Sequence, residues 1–282
     1  YAGSITALVA VGDDGGSSGR LTNALGIPPP GDVRRCLLAL SANPSLITEL
    51  FAHRFQEGDI ADHSLGNLLL AGLYELTGDF ARAVEMAGEL LGAVGEVIPI
   101  ANCPVTLEAI VDGARVTGQV TISARKGTIE SLRTLPADVR PHPDALHALG
   151  MADQIVIGPG SLVTSLCAAL IVPEVMDSVL NSPAVKTVVL NLVTQRGETE
   201  DLSGADQLDL LCRITGLLPP GIVVANNGSL SAPDDLEEVT ISSVETGERG
   251  WRLVQGVMSP TGRPAHDAIS LGKALERALD AS

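Results

Sequence analysis

Aromatic side chains make up only 2% of this 282-residue chain, with one Trp, two Tyr and three Phe. That leaves too few rings for a base-stacking surface of the kind that holds single-stranded nucleic acid. A nucleotide base, if bound, must be gripped by backbone and aliphatic groups. Positive charge is scarce as well: 18 Lys and Arg stand against 34 Asp and Glu, a formal net charge of −16. Such a balance repels a long phosphate backbone, so nucleic acid is discounted as a partner. The four cysteines, Cys36, Cys103, Cys167 and Cys212, are widely spaced and include no Cys-x-x-Cys pair. They read as reduced core residues; Cys103, ahead of Pro104, has no neighbouring cation in sequence to activate its thiol. No charged segment followed by an apolar run opens the chain, and the long apolar stretch at 155–172 is broken by Gly158-Pro159-Gly160. It reads as a strand followed by a helix, so no membrane span is expected and the cytoplasm is the expected compartment. The chain opens on Tyr1 without an initiator Met, and the native N-terminus is expected to have been trimmed.

What is abundant is apolar surface. Hydrophobic residues form 45% of the chain, enough for a substantial core in one large α/β unit or a domain with a subdomain. The run ITALVAV at 5–11 is continuous, partly β-branched and ends at a Gly-rich loop, as suits a strand buried on both faces of a parallel sheet. The same strand-then-polar-loop pattern recurs at 154–158, 185–193 and 221–228. It predicts an α/β fold, a doubly wound, mostly parallel sheet whose loops converge on one edge. A helical insertion is expected over about 40–95, with Ser64 and Asp79 as caps. Residues 105–123 read as two strands joined through Asp112-Gly113, a small antiparallel hairpin excursion reaching about residue 135. The remainder, 229–282, reads as a closing strand pair and an amphipathic helix. All of this is expected to form a single domain, 1–282.

Four loops carry candidate chemistry. The first, GDDGGSSGR at 12–20, follows the first strand. Gly15 and Gly16 let backbone N–H groups approach an anion, and Ser17, Ser18 and Arg20 add donors, so a phosphate cradle is expected. It is neither a Walker A loop nor a G-x-G-x-x-G dinucleotide turn. The alternative is a tight turn whose acids, Asp13 and Asp14, cap the next helix. In PPPGDVRR at 28–35, Asp32 is expected as a helix N-cap, with Arg34 and Arg35 in a first turn where positive charge opposes the helix dipole. An anionic ligand and a salt bridge to Asp13 or Asp14 explain that cost equally well. DHSLGN at 62–67 fails as a nucleophile elbow because Asp62 replaces the first Gly. Ser64 reads instead as cap and ligand donor, with Asn67 one turn on, and His63 as structural more often than catalytic. Finally, the loop from Gly158 to Thr164 follows a strand and opens a helix, and the N–H groups of Gly160, Ser161 and Leu162 are expected to face an anion. Thr194, Gln195, Gly197 and Asn226 add neutral donors at neighbouring strand ends. Together these suit a sugar nucleotide or similar phosphodiester.

Five ordered blocks, VGDDGGSSGRL, PPGDVRRCLLAL, HSLGNLLLAGL, ADQIVIGPGSLVTSL and NLVTQRGET, resemble the gluconeogenesis-factor family called YvcK or GlmR, within the wider CofD-like superfamily. The resemblance implies a Rossmann-like three-layer sandwich, often dimeric, so a homodimer is expected. It implies a UDP-N-acetylglucosamine ligand and a cytoplasmic role in cell shape and gluconeogenic growth, with a protein target in cell-wall precursor synthesis. The CofD branch instead transfers phospholactate from a guanosine diphosphate donor to a deazaflavin. By analogy the diphosphate falls to Gly160, Ser161 and Thr164, and ligand or Mg²⁺ contacts fall to Asp14, Asp32, Asn67 and Gln195. Asp14 and Asp32 are also the catalytic candidates if the protein is a Mg²⁺-dependent transferase. Members carry a GGGxGL turn ahead of the position that Tyr1 occupies here.

Overall fold

A computed structural model describes residues 1–233 and 235–281. In chain order its elements are β1 (Thr6–Val9), α1 (Gly16–Leu25), α2 (Gly31–Leu40), α3 (Leu46–Ala52), α4 (Leu65–Thr77), α5 (Phe80–Leu91), β2 (Glu96–Pro99), β3 (Thr106–Val111), β4 (Ala114–Thr117), α6 (Gln119–Ala124) and β5 (Ile129–Leu135). They continue as α7 (Pro143–Met151), β6 (Gln154–Ile157), α8 (Leu162–Leu170), α9 (Val175–Asn181), β7 (Val185–Val189), α10 (Gly204–Thr215), β8 (Gly221–Asn226), α11 (Ser243–Glu248), β9 (Trp251–Gly256) and α12 (Ala268–Asp280).

The apolar strands pair as continuous runs do when both faces are covered. β6, β7, β8 and β9 form a four-stranded parallel sheet in that order. Successive side chains of β8 point to opposite faces. Ile222 and Val224 join Val189, Ala274 and Ala278 beneath α12, whereas Val223 and Ala225 join Leu208 and Leu211 of α10 in the larger core. Helix, sheet and helix are therefore stacked in three layers. A second parallel pair, β1 with β2, runs in register from Thr6 opposite Glu96 to Val9 opposite Pro99. Its faces are packed by α2 and α5 through Val33, Leu37, Val84 and Ala87.

Three expectations are corrected here. The strand at the start of the chain does not join the other three predicted strands directly; it pairs with β2, which follows the helical block and was not anticipated. The hairpin turn forms at Asp112 and Gly113, with φ of 48° and 73°. However, only residues up to Thr117 are extended, because Gly118, at φ 94°, turns the chain into α6. The hairpin's other flank is β5, and β3 lies centrally in the order β4-β3-β5. The C-terminal region contributes one strand rather than a pair: β9 adds parallel to β8, and residues 243–248 are helical.

Among the described residues, β1 and β6 each pair on one side only. Between them lies a cleft of about 2100 Å³, lined along its length by residues 5–10 and 154–158 and reaching Asp32, Gly160 and Ser161. No single helix among the described residues is long and apolar enough to cross a membrane. The apolar α8 and α9, bent by 76°, place Val163, Cys167 and Val179 in the core. Burial pushes the thiol of Cys212 up to about 11 and that of Cys167 higher still, which keeps both protonated at neutral pH. Cys103, by contrast, is exposed and not a core residue.

Candidate functional site

The turn after β1 is organised by its two carboxylates. Asp13 Oδ1 accepts from the N–H of Gly15 at 2.9 Å. Asp14 Oδ1 accepts from the N–H of Val120 at 2.9 Å, capping α6 from a distance. With both acids occupied locally, α1 begins at Gly16 with no side-chain cap. The N–H groups of Gly16, Ser17 and Ser18 meet no acceptor. Other helices have a side-chain cap, with Ser45, Ser64, Asp79, Ser203, Ser242 and Asp267 each accepting from an N–H in the first turn of the helix that follows, whereas α2 and α9, like α1, have none. A ten-residue helix with an open N-terminus next to a parallel strand is a seat for an anion.

α2 lies against this turn. Its N-cap is Pro30, so Asp32 sits inside the first turn and is not the cap expected from sequence. Gly31 must lack a side chain, because a Cβ there would lie 2.4 Å from Ser18 Oγ and 3.1 Å from Asp13 Oδ2. Asp32 is salt-bridged to Arg35, one turn on, so neither Asp13 nor Asp14 supplies the expected ion pair for these arginines. Burial, the largest influence, raises the carboxyl pKa of Asp32; Arg35 opposes that and Asp13 adds to it. Asp13, rather than Asp14, is thus the carboxylate that acts on Asp32.

A buried polar chain ties α1, α2 and α4 together. Arg34 Nε donates to Asn67 Oδ1 at 3.0 Å, and Asn67 Nδ2 donates to Ser17 Oγ at 3.0 Å. Ser17 Oγ lies 2.9 Å from His63 Nδ1. Ser17 Oγ accepts from the amide of Asn67 and can either donate to Nδ1 of His63 or accept from it, according to the imidazole tautomer. Burial, then Arg20 and Arg54, hold His63 below its ordinary pKa, so it is neutral at pH 7. Ser64 is the predicted cap, accepting from the N–H of Asn67 at 3.2 Å. Arg20 Nη2 donates to the carbonyl of Ala61 at 2.6 Å.

A third group of loops is joined to the first through α6. Glu198 accepts from Ser123 of α6 at 3.1 Å. It also accepts from the N–H groups of Val163 and Thr164, at 2.9 and 3.3 Å, and from the Thr164 hydroxyl. Gln195 Oε1 accepts from the N–H of Leu162 at 3.3 Å and its Nε2 donates to Ser161 Oγ at 3.3 Å. Asn191 Oδ1 accepts from the N–H of Gly160 at 3.2 Å. The N-terminus of α8, expected to be free for a phosphate, is therefore filled by the protein's own carboxylate and amides. Its first six residues, Leu162–Cys167, are wound as a π-helix, a form frequent at functional sites. Sequence reasoning missed Glu198 and Asn191; nothing local sets Glu198 apart from Glu200 and Asp201 in the same loop.

The predicted residues thus divide. Gly15, Gly16, Ser17, Ser18, Arg20, Arg34, Ser64 and Asn67 are brought together around α1. Gly158, Gly160, Ser161, Thr164, Gln195 and Gly197 gather around α8, linked to α1 through α6. Thr194 Oγ1 accepts from the N–H of Glu237 at 3.0 Å. Asn226 is spent on Gly228 and the N–H of Met258, so both serve their own strand ends. Asp14 and Asp32 do not form a pair. No cluster of three or more His, Cys, Asp or Glu able to hold a metal ion occurs among the described residues.

Residues 1–247 match the family described as 2-phospho-L-lactate transferase CofD. The gluconeogenesis factor of Halalkalibacterium halodurans is 45% identical over 210 residues, 74% of this chain and 65% of that protein. That of Bacillus subtilis is 42% identical over 235 residues, 83% of this chain and 74% of that protein. The chain thus spans about two thirds to three quarters of the length of these relatives. A crystal structure of a UPF0052 family member from Bacillus halodurans superposes with a TM-score of 0.91 at 37% identity, covering 97% of this chain and 91% of that one.

Proposed function

This chain belongs to the CofD family, among the gluconeogenesis factors, and we propose that it is a cytoplasmic regulatory protein that binds UDP-N-acetylglucosamine. The observation that carries the proposal is the uncapped N-terminus of α1, where three N–H groups stand open beside the buried hydroxyls of Ser17 and Ser18. A diphosphate placed there receives the helix dipole and backbone donors without needing lysine. Such placement at the carboxyl ends of parallel strands is where ligands of open α/β sheets sit. Because only 2% of the chain is aromatic, the base is held by backbone and aliphatic contacts. Coupling of this site to cell shape and to a protein target in cell-wall precursor supply, in a homodimer, belongs to the same proposal.

The second reading is a transferase acting on a nucleotide-diphosphate donor. One observation favours it: the charge of Asp13 acts on Asp32 beside the open amides. Mg²⁺ is commonly held by one or two carboxylates together with phosphate oxygens, and Asp13 and Asp32 would hold it there in exchange for their present partners, Gly15 and Arg35. Bound there, the ion would neutralise charge on the diphosphate. Calorimetric titration with UDP-N-acetylglucosamine, UDP-glucose, GDP and NADP, with and without Mg²⁺, followed by mass analysis of each mixture, separates the readings. Saturable binding of the UDP-sugar without new products is expected. Turnover that is lost in Asp32→Asn, or preference for GDP, would move the protein to the transferase reading.

A further inference from the structure

Behind the open end of α1, Arg20 and Arg54 reach one turn of chain from different elements, and Arg34 lies close to Arg54. Arg20 of α1 donates to the carbonyl of Ala61, at 2.6 Å, and Arg54, after α3, donates to the carbonyl of Asp62, the next residue along. Both guanidiniums act on the imidazole of His63 that follows. Arg34 of α2, half-buried, donates to Asn67 Oδ1 and, at 3.3 Å, to the carbonyl of Phe51, and it feels the like charge of Arg54. None of the three is in a salt bridge among the described residues, although Asp62 lies beside them. In a chain of net charge −16 carboxylates are plentiful, yet these cations are held only by neutral oxygens. Like charges brought together repel one another unless an anion is shared between them. His63 faces Ser17 through Nδ1, which leaves Nε2 without a partner among the described residues.

We propose that Arg20, Arg34 and Arg54, with Nε2 of His63, form a seat for a phosphoryl group, separate from the diphosphate seat at the first turn of α1. Guanidinium forks match the oxygens of a phosphomonoester, and a neutral imidazole N–H adds a donor without adding charge. The second ligand is therefore a small phosphorylated molecule bound together with the nucleotide sugar. The inference rests on the nucleotide-sugar reading only in calling the seat a second one.

The test is calorimetric titration of the whole chain with inorganic phosphate, alone and in the presence of saturating UDP-N-acetylglucosamine, for the wild type and for Arg54→Gln and Arg20→Gln. Both side chains are exposed, so the variants are expected to fold, and circular dichroism checks this. Phosphate is expected to bind saturably in both settings. Each substitution should weaken it about tenfold, as losing one charge-assisted contact does, and in Arg54→Gln the affinity for UDP-N-acetylglucosamine should change less than about twofold. Absence of saturable phosphate binding, or phosphate affinity unchanged in both variants, overturns the seat. An equal loss of UDP-N-acetylglucosamine affinity overturns its separateness. If phosphate binds as expected but the UDP-sugar does not, the seat stands and the nucleotide-sugar reading falls.

Discussion

At Gly197 the backbone has φ of 75°, and a Cβ would fall 1.5 Å from the carbonyl oxygen of Ser123. Conformation and contact both demand glycine, and this contact holds the 195–199 loop against α6. Gly197→Ala should lower stability by roughly 2–4 kcal/mol, read as a lower urea midpoint with unchanged slope. His63 makes a different prediction. Its folded pKa lies below the ordinary value because of burial and then the arginines. Above about pH 6.5 the imidazole is neutral in both folded and unfolded chains and contributes no slope. As pH falls below that value the unfolded chain takes up a proton that the folded one resists, so stability drops. His266, also lowered by burial, adds to the same slope. His63→Gln should flatten the fall in urea midpoint between about pH 7 and pH 5, whatever it costs at pH 8 through the lost contact with Ser17; an unchanged slope would remove His63 from this role.

At the scale of elements, the two Gly-rich strand-to-helix junctions were both legible in sequence as anion seats, and the structure separates them. Gly158–Thr164 has the residues for the chemistry, but the anion that it holds is the chain's own Glu198, 34 residues beyond Thr164. No local pattern reveals that a distant carboxylate closes a helix, because the contact depends on how β6 and β7 align. The turn at 12–15 follows the opposite course: its acids look obstructive in sequence, yet Asp13 and Asp14 turn to Gly15 and Val120 and leave α1 open. Asp32 was misplaced by two positions, because the helix already begins at Gly31 with Pro30 as its N-cap. The caps Ser64 and Asp79 and the Asp112-Gly113 turn were readable because their physics is local. Glu198→Ala should cost about 2 kcal/mol, since two N–H groups and the Thr164 and Ser123 hydroxyls lose their acceptor. Thermal unfolding checks the value, and hydrogen exchange should locate the loss at Val163 and Thr164.

For the whole molecule, apolar runs without alternation at 154–157, 185–189 and 221–226 sufficed to predict a parallel sheet covered on both faces, and β8 divides its side chains between α12 and α10 accordingly. Which strand neighbours which was not legible, because pairing of β1 with β2 joins segments almost ninety residues apart. The same long-range placement brings the loops of β1, β6 and β7 to one edge, and it leaves the start of α1 without a side-chain cap while that of α8 is closed by Glu198. The most direct measurement is a crystal structure of the protein with UDP-N-acetylglucosamine. Diphosphate oxygens are expected about 3 Å from the backbone nitrogens of Gly16, Ser17 and Ser18, with Glu198 still on Val163 and Thr164. A diphosphate seated at Leu162–Thr164 with Glu198 displaced would contradict the account.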